Sequence, residues 1–330
     1  MAVLTNSLTS AAGHLRPLDP RRDLKEVADL VELCFKDSLD SDGQRYLKQM
    51  RNSARGAGLL YWASSFADQS TLPLSGYVWE EGGRVVGNLS LIPFNVKGER
   101  IYLIANVAVH PNYRRQGIAR TLTTMAREFA RRHHARSVWL HVRDDNEPAV
   151  RLYLSLGFTE RVRRTTWRSI HADKPALLKP AGSPAANILI TPRKAKHWPT
   201  QKVWLENVYP PELNWHFPLR LTAFRADLWG GLYSLLTGTS LRHWVARRNN
   251  QMLGSLTWQT FHTNSDIFWL ATPPLVEDAV VHALLICARQ RLSPRRPLAL
   301  DYPAGQAVES IQSAGFQPQT TLIWMETALP

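Results

Sequence analysis

Val107-Ala108-Val109-His110-Pro111-Asn112-Tyr113-Arg114-Arg115-Gln116-Gly117-Ile118-Ala119-Arg120 is a strand passing into a helix. Val107 and Val109 alternate as β-branched strand residues, Pro111 and Asn112 punctuate a turn, and an apolar helical pattern begins near Ile118. Two arginines and a glycine occupy the corner. The first turn of a helix leaves backbone N–H groups without intrahelical partners, and the helix dipole adds positive potential there, so the corner attracts anions. Gly117 has no Cβ and lets a phosphate approach the backbone, a freedom that Ala119 nearly preserves. The stretch reads as a phosphate cradle.

Working outward, Ile118, Leu122, Met125, Ala126 and Phe129 recur at three or four residues and make the following helix amphipathic. Ser137 to Val142 is a buried strand interrupted by His141. Asp144, Asp145 and Asn146 are cap-forming residues before a short helix that holds Tyr153 and stops at Gly157. Upstream, His14 to Leu18 reads as a first strand, Leu24 to Cys34 carry a helical stripe, and a second helix covers Gln44 to Met50. That helical region is either one wall of an acceptor site or a surface helix pair. Tyr77 to Trp79 and Val85 to Ile92 form an antiparallel hairpin, joined by Ile101 to Val109 as its third strand.

The order Arg114-x-x-Gly117-x-Ala119 after a Val-Ala-Val-His-Pro strand end, with Asn146, Ala149, Tyr153 and Gly157-Phe158 downstream, resembles the GNAT superfamily of N-acetyltransferases, whose loop signature is R/Q-x-x-G-x-G/A. The resemblance implies acetyl-CoA as acyl donor and direct attack by an amine in a ternary complex. It implies that the backbone of Val107, Ala108 and Val109 aligns the pantetheine arm. Arg114, which opens the motif, and Arg115, Gln116, Gly117, Ile118, Ala119 and Arg120 would hold the pyrophosphate, mostly through N–H groups. It also gives Asn146 a bond to cofactor or acceptor, besides its cap. Tyr153, with a reference pKa of about 10, becomes the acid for the departing thiolate. His141 is the candidate base for the amine, with Glu80, Glu81 or an ordered water as competitors. Ribosomal-protein alanine acetyltransferases have a similar Leu-Glu-Val-Arg strand; here His141 replaces the glutamate, which keeps a base and changes its charge. No metal cluster, Walker loop or Ser/His/Asp triad offers a rival chemistry.

The chain of 330 residues has a formal net charge of +13, and its basic residues are densest from Arg114 to Arg168. A polyanionic cofactor accounts for part of that field by steering. Association with RNA or the ribosome would account for the rest and is not required. Arg161, Arg163 and Arg164 read as a solvated strand edge. Cys34 and Cys287 are far apart and outside any Cys/His cluster, which suits buried free thiols in a reducing compartment. The start has no basic n-region, and nothing approaches the roughly 20 apolar residues of a membrane span, so the expected location is cytoplasmic without membrane contact.

Residues 171–200 change character, with Pro175, Pro180, Pro184, Pro192 and Pro199 among alanine and lysine. Beyond them an internal repeat emerges. Ala307 to Phe316 aligns without gaps on Ala149 to Phe158. It follows a hairpin from Trp244 to Trp258, a strand from Asp266 to Leu270 and a helix from Ala279 to Arg291. Pro273 to Asp278 replaces the basic loop with a shorter acidic one. Ile311 stands where Tyr153 stands, and Ala304 where Asn146 stands. The tryptophans of this half, Trp229 among them, suggest core or interface.

The fold expected is α/β (α+β), two tandem GNAT-like domains, each a mixed, mostly antiparallel twisted sheet flanked by helices. A loose start, 1–13, precedes a catalytic domain, 14–170; a Pro-rich linker, 171–200, leads to a degenerate domain, 201–330. The function implied is an acetyl-CoA-dependent N-acetyltransferase acting on a primary amine of a small molecule or a protein N-terminus. The alternative is a non-catalytic acyl-CoA sensor that presents a partner surface.

Overall fold

Asp19 caps the first helix by accepting from the Arg21 N–H, and Pro20 suits the opening turn. The computed structural model describes residues 13–36, 39, 41–53, 75–170, 187–213, 215–217, 219, 221–224, 240–260, 265–292 and 296–330. They fall into two compact units, one from Met1–Val142, Asn146–Arg161 and Trp324–Pro330, the other from Arg143–Asp145 and Val162–Ile323. The expected loose start up to residue 12, the stretch 171–186 and Trp229 lie outside the described residues.

The first unit begins with β1 (His14–Pro17), α1 (Pro20–Phe35) and α2 (Ser41–Ser53). Next come β2 (Ser75–Glu81), β3 (Arg84–Val96) and β4 (Glu99–Val109). Then follow α3 (Ile118–Arg132), β5 (Ser137–Arg143), α4 (Glu147–Ser155) and β6 (Thr159–Ser169). The first four strands run antiparallel in chain order. Between β2 and β3, Gly82 and Gly83 have φ of 57° and 75°, which suits a tight hairpin. The crossover through α3 makes β4 and β5 parallel. Leu24, Val27, Leu30 and Val31 of α1 pack with Leu47 and Met50 of α2 in a core that includes Val78 and Ala108. On α3, Ile118, Leu122, Ala126 and Ala130 are buried. A Cβ on Gly87 would lie 2.8 Å from Ile118 Cγ2, so the glycine lets α3 close on the sheet.

The second unit contains β7 (Leu189–Pro192), α5 (Trp198–Val208), β8 (Leu241–Arg248), β9 (Gln251–Gln259) and β10 (Asp266–Ala271). Then follow α6 (Asp278–Arg291), β11 (Leu298–Pro303), α7 (Val308–Ser313) and β12 (Phe316–Ala328). The end of β12 from Trp324 belongs to the first unit, as the end of β6 from Val162 belongs to the second. β7 to β10 pair antiparallel in order, and the crossover through α6 makes β10 and β11 parallel. Part of the proline-rich stretch read as a linker is thus regular structure, because β7 pairs with β8 and Pro199 opens α5. Each unit is a mixed, mostly antiparallel sheet with flanking helices, as expected.

The repeat also extends to packing. In the first unit Arg127 Nη1 donates to the Leu156 carbonyl at 2.7 Å, with its guanidinium 6.0 Å from the Phe158 ring centroid. In the second, Arg289 Nη1 donates to the Ala314 carbonyl and lies 5.5 Å from the Phe316 ring. Leu156 and Ala314 occupy equivalent positions in the repeat. In both units a long-helix arginine satisfies a carbonyl at the end of the short helix, next to a glycine at positive φ.

Arg164 corrects the reading of Arg161, Arg163 and Arg164 as a solvated edge. Its side chain is 1% exposed. It donates to the Asp301 carboxylate, to the Val208 carbonyl at 2.7 Å and to the Asp301 carbonyl at 3.2 Å, and stands over the Tyr209 and Phe217 rings. Desolvation pushes the Asp301 carboxyl up, and Arg164 opposes it. Arg161 and Arg163 are exposed, as expected, with Arg161 3.4 Å from Glu326. Removing one partner of a buried pair strands the other charge, so Arg164→Leu is expected to cost about 3–5 kcal/mol in urea denaturation. Arg161→Leu is expected to cost about 1 kcal/mol or less.

Candidate active site

β4 and β5 are paired from Ile101↔Ser137 to Ile104↔Leu140 and no further. The cause lies within β4. Its register against β3 shifts between Asn88 and Ser90, and Asn106 takes φ of 52°, a left-handed conformation that asparagine tolerates better than most residues. The bulge is held by side chains: Asn88 Nδ2 donates to the Asn106 carbonyl at 2.9 Å, and Asn106 Nδ2 donates to Tyr46 Oη at 2.8 Å. Beyond it, Val107, Ala108 and Val109 on one arm and His141 on the other belong to a fork between parallel strands. An extended chain such as a pantetheine arm can lie in such a fork and pair with β4.

At the end of β4, His110 N donates to the Val86 carbonyl and its Nδ1 accepts from Asn112 N–H, opening a 3-10 turn over Pro111–Tyr113. The loop that follows is exposed from Arg114 to Gly117. Arg115 has φ of 65°, and Gly117, the N-cap of α3, has φ of 81° with nothing within 4 Å of where a Cβ would stand. The first backbone bond of α3 runs from Thr121 N to the Gly117 carbonyl. The six consecutive amides from Arg115 to Arg120 have no hydrogen-bond partner among the described residues. Open backbone, unpaired N–H groups and the positive end of a 15-residue helix fit a pyrophosphate.

Side chains in the loop are more committed than the sequence suggests. Arg114 Nε donates to the Val109 carbonyl at 3.1 Å, and the Cys34 thiol donates to the same oxygen at 3.3 Å, which saturates it. Arg120 Nη2 donates to Ser155 Oγ at 2.7 Å, tying the start of α3 to α4. Ile118 is buried against the sheet, so only its backbone faces a ligand. Of the loop's three arginines, Arg115 alone has no hydrogen-bond or ion-pair partner among the described residues.

Tyr153 is on the inner face of α4, 6% exposed, its ring edge-on to Phe158 at 5.9 Å. Burial pushes its phenol well above the ordinary value, so it keeps its proton at neutral pH. Asn146, an exposed residue, caps α4 by accepting from the Ala149 N–H at 3.3 Å. His141 follows the last β4–β5 pair, and its ring lies 4.1 Å from that of Trp324. Glu80 accepts from Arg16 at 2.7 Å and Arg22 at 2.8 Å; these partners hold its carboxyl below the usual range and make it a weak base. Cys34 and Cys287 are free thiols, half-buried rather than buried. Asn88, Asn106, Tyr46 and Cys34 were not expected at the site from sequence. A signal existed only for Asn106, an asparagine inside an otherwise apolar strand.

The second unit has the same parallel pairing, from Asp266↔Leu298 to Phe268↔Leu300. Its parted ends are bridged by the chain itself. Tyr209, fully buried at the end of α5, donates to the Asp301 carbonyl at 3.0 Å, and its hydroxyl is also hydrogen-bonded by the Leu270 backbone. Trp269 and Phe217 pack edge-on against its ring. The repeat of α4 is cut to six residues, begins at Ala307 with φ of 49° and buries Ile311 where Tyr153 would be.

Among the described residues no helix is long and apolar enough to cross a membrane, and no group of three His, Cys, Asp or Glu side chains is placed to hold a metal. Residues 31–158 match the acetyltransferase (GNAT) family. A 74-residue stretch, 22% of this chain, is 35% identical to the [ribosomal protein bS18]-alanine N-acetyltransferase of Escherichia coli, and the chain spans 50% of that relative's length. Over 125 residues, 37% of the chain, it is 32% identical to the N-alpha-acetyltransferase RimI of Mycobacterium tuberculosis, covering 77% of it. The fold is similar to that of a GCN5-related N-acetyltransferase from Sphaerobacter thermophilus, with a TM-score of 0.55 at 13% identity, over 96% of this chain and 95% of that one. The fork in the sheet, the unpaired amides at the start of α3 and a relative matched over most of its length agree: the chain belongs to the acetyltransferase (GNAT) family.

Proposed function

We infer that the protein transfers an acetyl group from acetyl-CoA to a primary amine by direct attack in a ternary complex, with 14–170 as the catalytic domain and 201–330 as a degenerate one. The carrying observation is the fork after Ile104 and Leu140, followed at the end of the same strand by the unpaired amides of Arg115 to Arg120. The second fork, bridged by Tyr209, supports a single transferase site.

The bound donor would supply an activated thioester carbonyl. Amides of Arg115 to Arg120 bind its pyrophosphate, and the backbone of Val107 and Ala108 orients the pantetheine arm. Tyr153 Oη holds a proton for the departing thiolate, kept there by burial. His141, at the parting of the strands, takes the proton of the acceptor ammonium. Asn146 keeps its cap and offers its amide group to the ligand. Both curated relatives are named for acetylation of an alanine or an α-amine, which favours a protein N-terminus as acceptor. With a pKa of roughly 8, an α-amine is also easier to deprotonate than a lysine at about 10.4.

Gly117→Glu places a side chain and a negative charge in the cradle. In thermal unfolding, acetyl-CoA is expected to stabilise the wild type by about 2.7 kcal/mol at 100 times its Kd, and the variant not at all. An equal response of both would remove the cofactor from this loop. With a panel of peptide and small-molecule amines, Tyr153→Phe is expected to lower kcat by roughly 10²-fold or more with little change in the KM for acetyl-CoA. His141→Gln is expected to lower kcat/KM for the amine near neutral pH, with recovery as pH rises and the amine deprotonates unaided; a pH-independent loss assigns His141 to packing on Trp324. Stabilisation by acetyl-CoA with no turnover of any amine would favour the acyl-CoA sensor.

A further inference from the structure

In the second unit, cations stand at the junction of β7 and α5 with no ion-pair partner among the described residues. After Pro192 the Arg193 N–H donates to the His243 carbonyl at 3.2 Å, and Arg193 Nη1 donates to Gln201 Oε1 at 2.8 Å. The Arg193 guanidinium is 5.6 Å from the Trp198 ring centroid. Its Nε is buried without a hydrogen-bond partner, as is the Nε of Arg247, whose terminal nitrogen donates to Asn250. Lys194 and Lys196 are exposed beside them. His197, buried in the 3-10 turn Ala195–His197, accepts from the Lys194 N–H at 3.1 Å through Nδ1, which puts the neutral ring's proton on Nε2. Burial lowers its pKa first, and Lys196, Arg247, Lys194 and Arg193 all lower it further.

Among the described residues these cations lack an acidic partner. Neither the 3-10 turn nor the first turn of α5 contains a carboxylate, and none of the four cations is ion-paired among the described residues. Elsewhere in the same unit Arg248 has Glu277 at 2.7 Å and Lys202 has Glu206 at 3.7 Å. Burial lowers the Arg193 pKa to about 10, with no acid opposing it. The helix dipole of α5 adds to the same positive field.

We propose that Arg193, Lys194, Lys196 and Arg247 form a binding site for a phosphate monoester dianion at the start of α5. Two guanidiniums whose Nε atoms are buried without a partner, beside two exposed lysines of one turn, suit a compact dianion. A phosphodiester tract offers one charge per phosphate and would need cations spread along a groove. The guanidiniums supply forked donors, and the lysines supply charge at the rim.

The test uses the full chain carrying Gly117→Glu, so that the phosphate loop of the first unit does not report. Inorganic phosphate is titrated by calorimetry at constant ionic strength, and the His197 ring is followed by NMR, assigned with His197→Gln. One site is expected, weakened about tenfold by Arg247→Gln and at least as much by the surface pair Lys194→Gln/Lys196→Gln, with the His197 pKa rising when phosphate is bound. Absence of binding, binding that both variants leave unchanged, or preference for an oligonucleotide over phosphate and a phosphoserine peptide would overturn the assignment. None of these readouts depends on acetyl transfer.

Discussion

The parallel pairing of β4 with β5 ends at Ile104 and Leu140, and the proposed chemistry of the first unit depends on that ending. A fully zipped pair would satisfy its own backbone groups and leave an extended ligand nothing to pair with. The bulge at Asn106 turns the last residues of β4 out of register, while Asn88 and Tyr46 take up polar groups that the bulge disturbs. The unpaired amides at the start of α3 then suit an anion. In the proposed mechanism, binding and chemistry thus come from one irregularity in an otherwise regular sheet.

Polar groups around this opening are sorted by what holds them. Arg16 and Arg22 commit Glu80 to an ion-pair network with the buried Asp23, which makes it scaffold rather than base. Arg114 and Cys34 share the Val109 carbonyl, and Arg120 ties α3 to α4. Tyr153 has the opposite treatment: burial with its proton retained, the condition a general acid needs. The loop arginine with no such commitment is Arg115.

Comparing the two halves separates packing from chemistry. Arg127 with Phe158 and Arg289 with Phe316 preserve one arrangement at the end of the short helix, because a carbonyl there must be satisfied in either half. The groups that a ligand would need have not been preserved. Tyr209 bridges the second fork, Ile311 replaces Tyr153, and the buried Arg164–Asp301 pair stabilises the strand end that in the first half stays open.

Local pattern determined much of this protein. The alternation of β-branched residues, the apolar stripes of α1 and α3, the cap at Asn146 and the glycine turns put elements within a few residues of where they form, and the loop from Arg114 to Arg120 was legible because its spacing is itself the binding geometry. The ungapped match of Ala307–Phe316 to Ala149–Phe158 revealed the repeat. Only the tertiary structure decided which arginines are spent on carbonyls, that Arg164 is buried rather than solvated, that Asn106 breaks β4, and that Tyr209 fills the second fork. Apart from the bond of Arg114 to Val109, five residues away, those outcomes depend on partners 18 to 137 residues apart in sequence, and period and spacing encode only neighbours within a few turns.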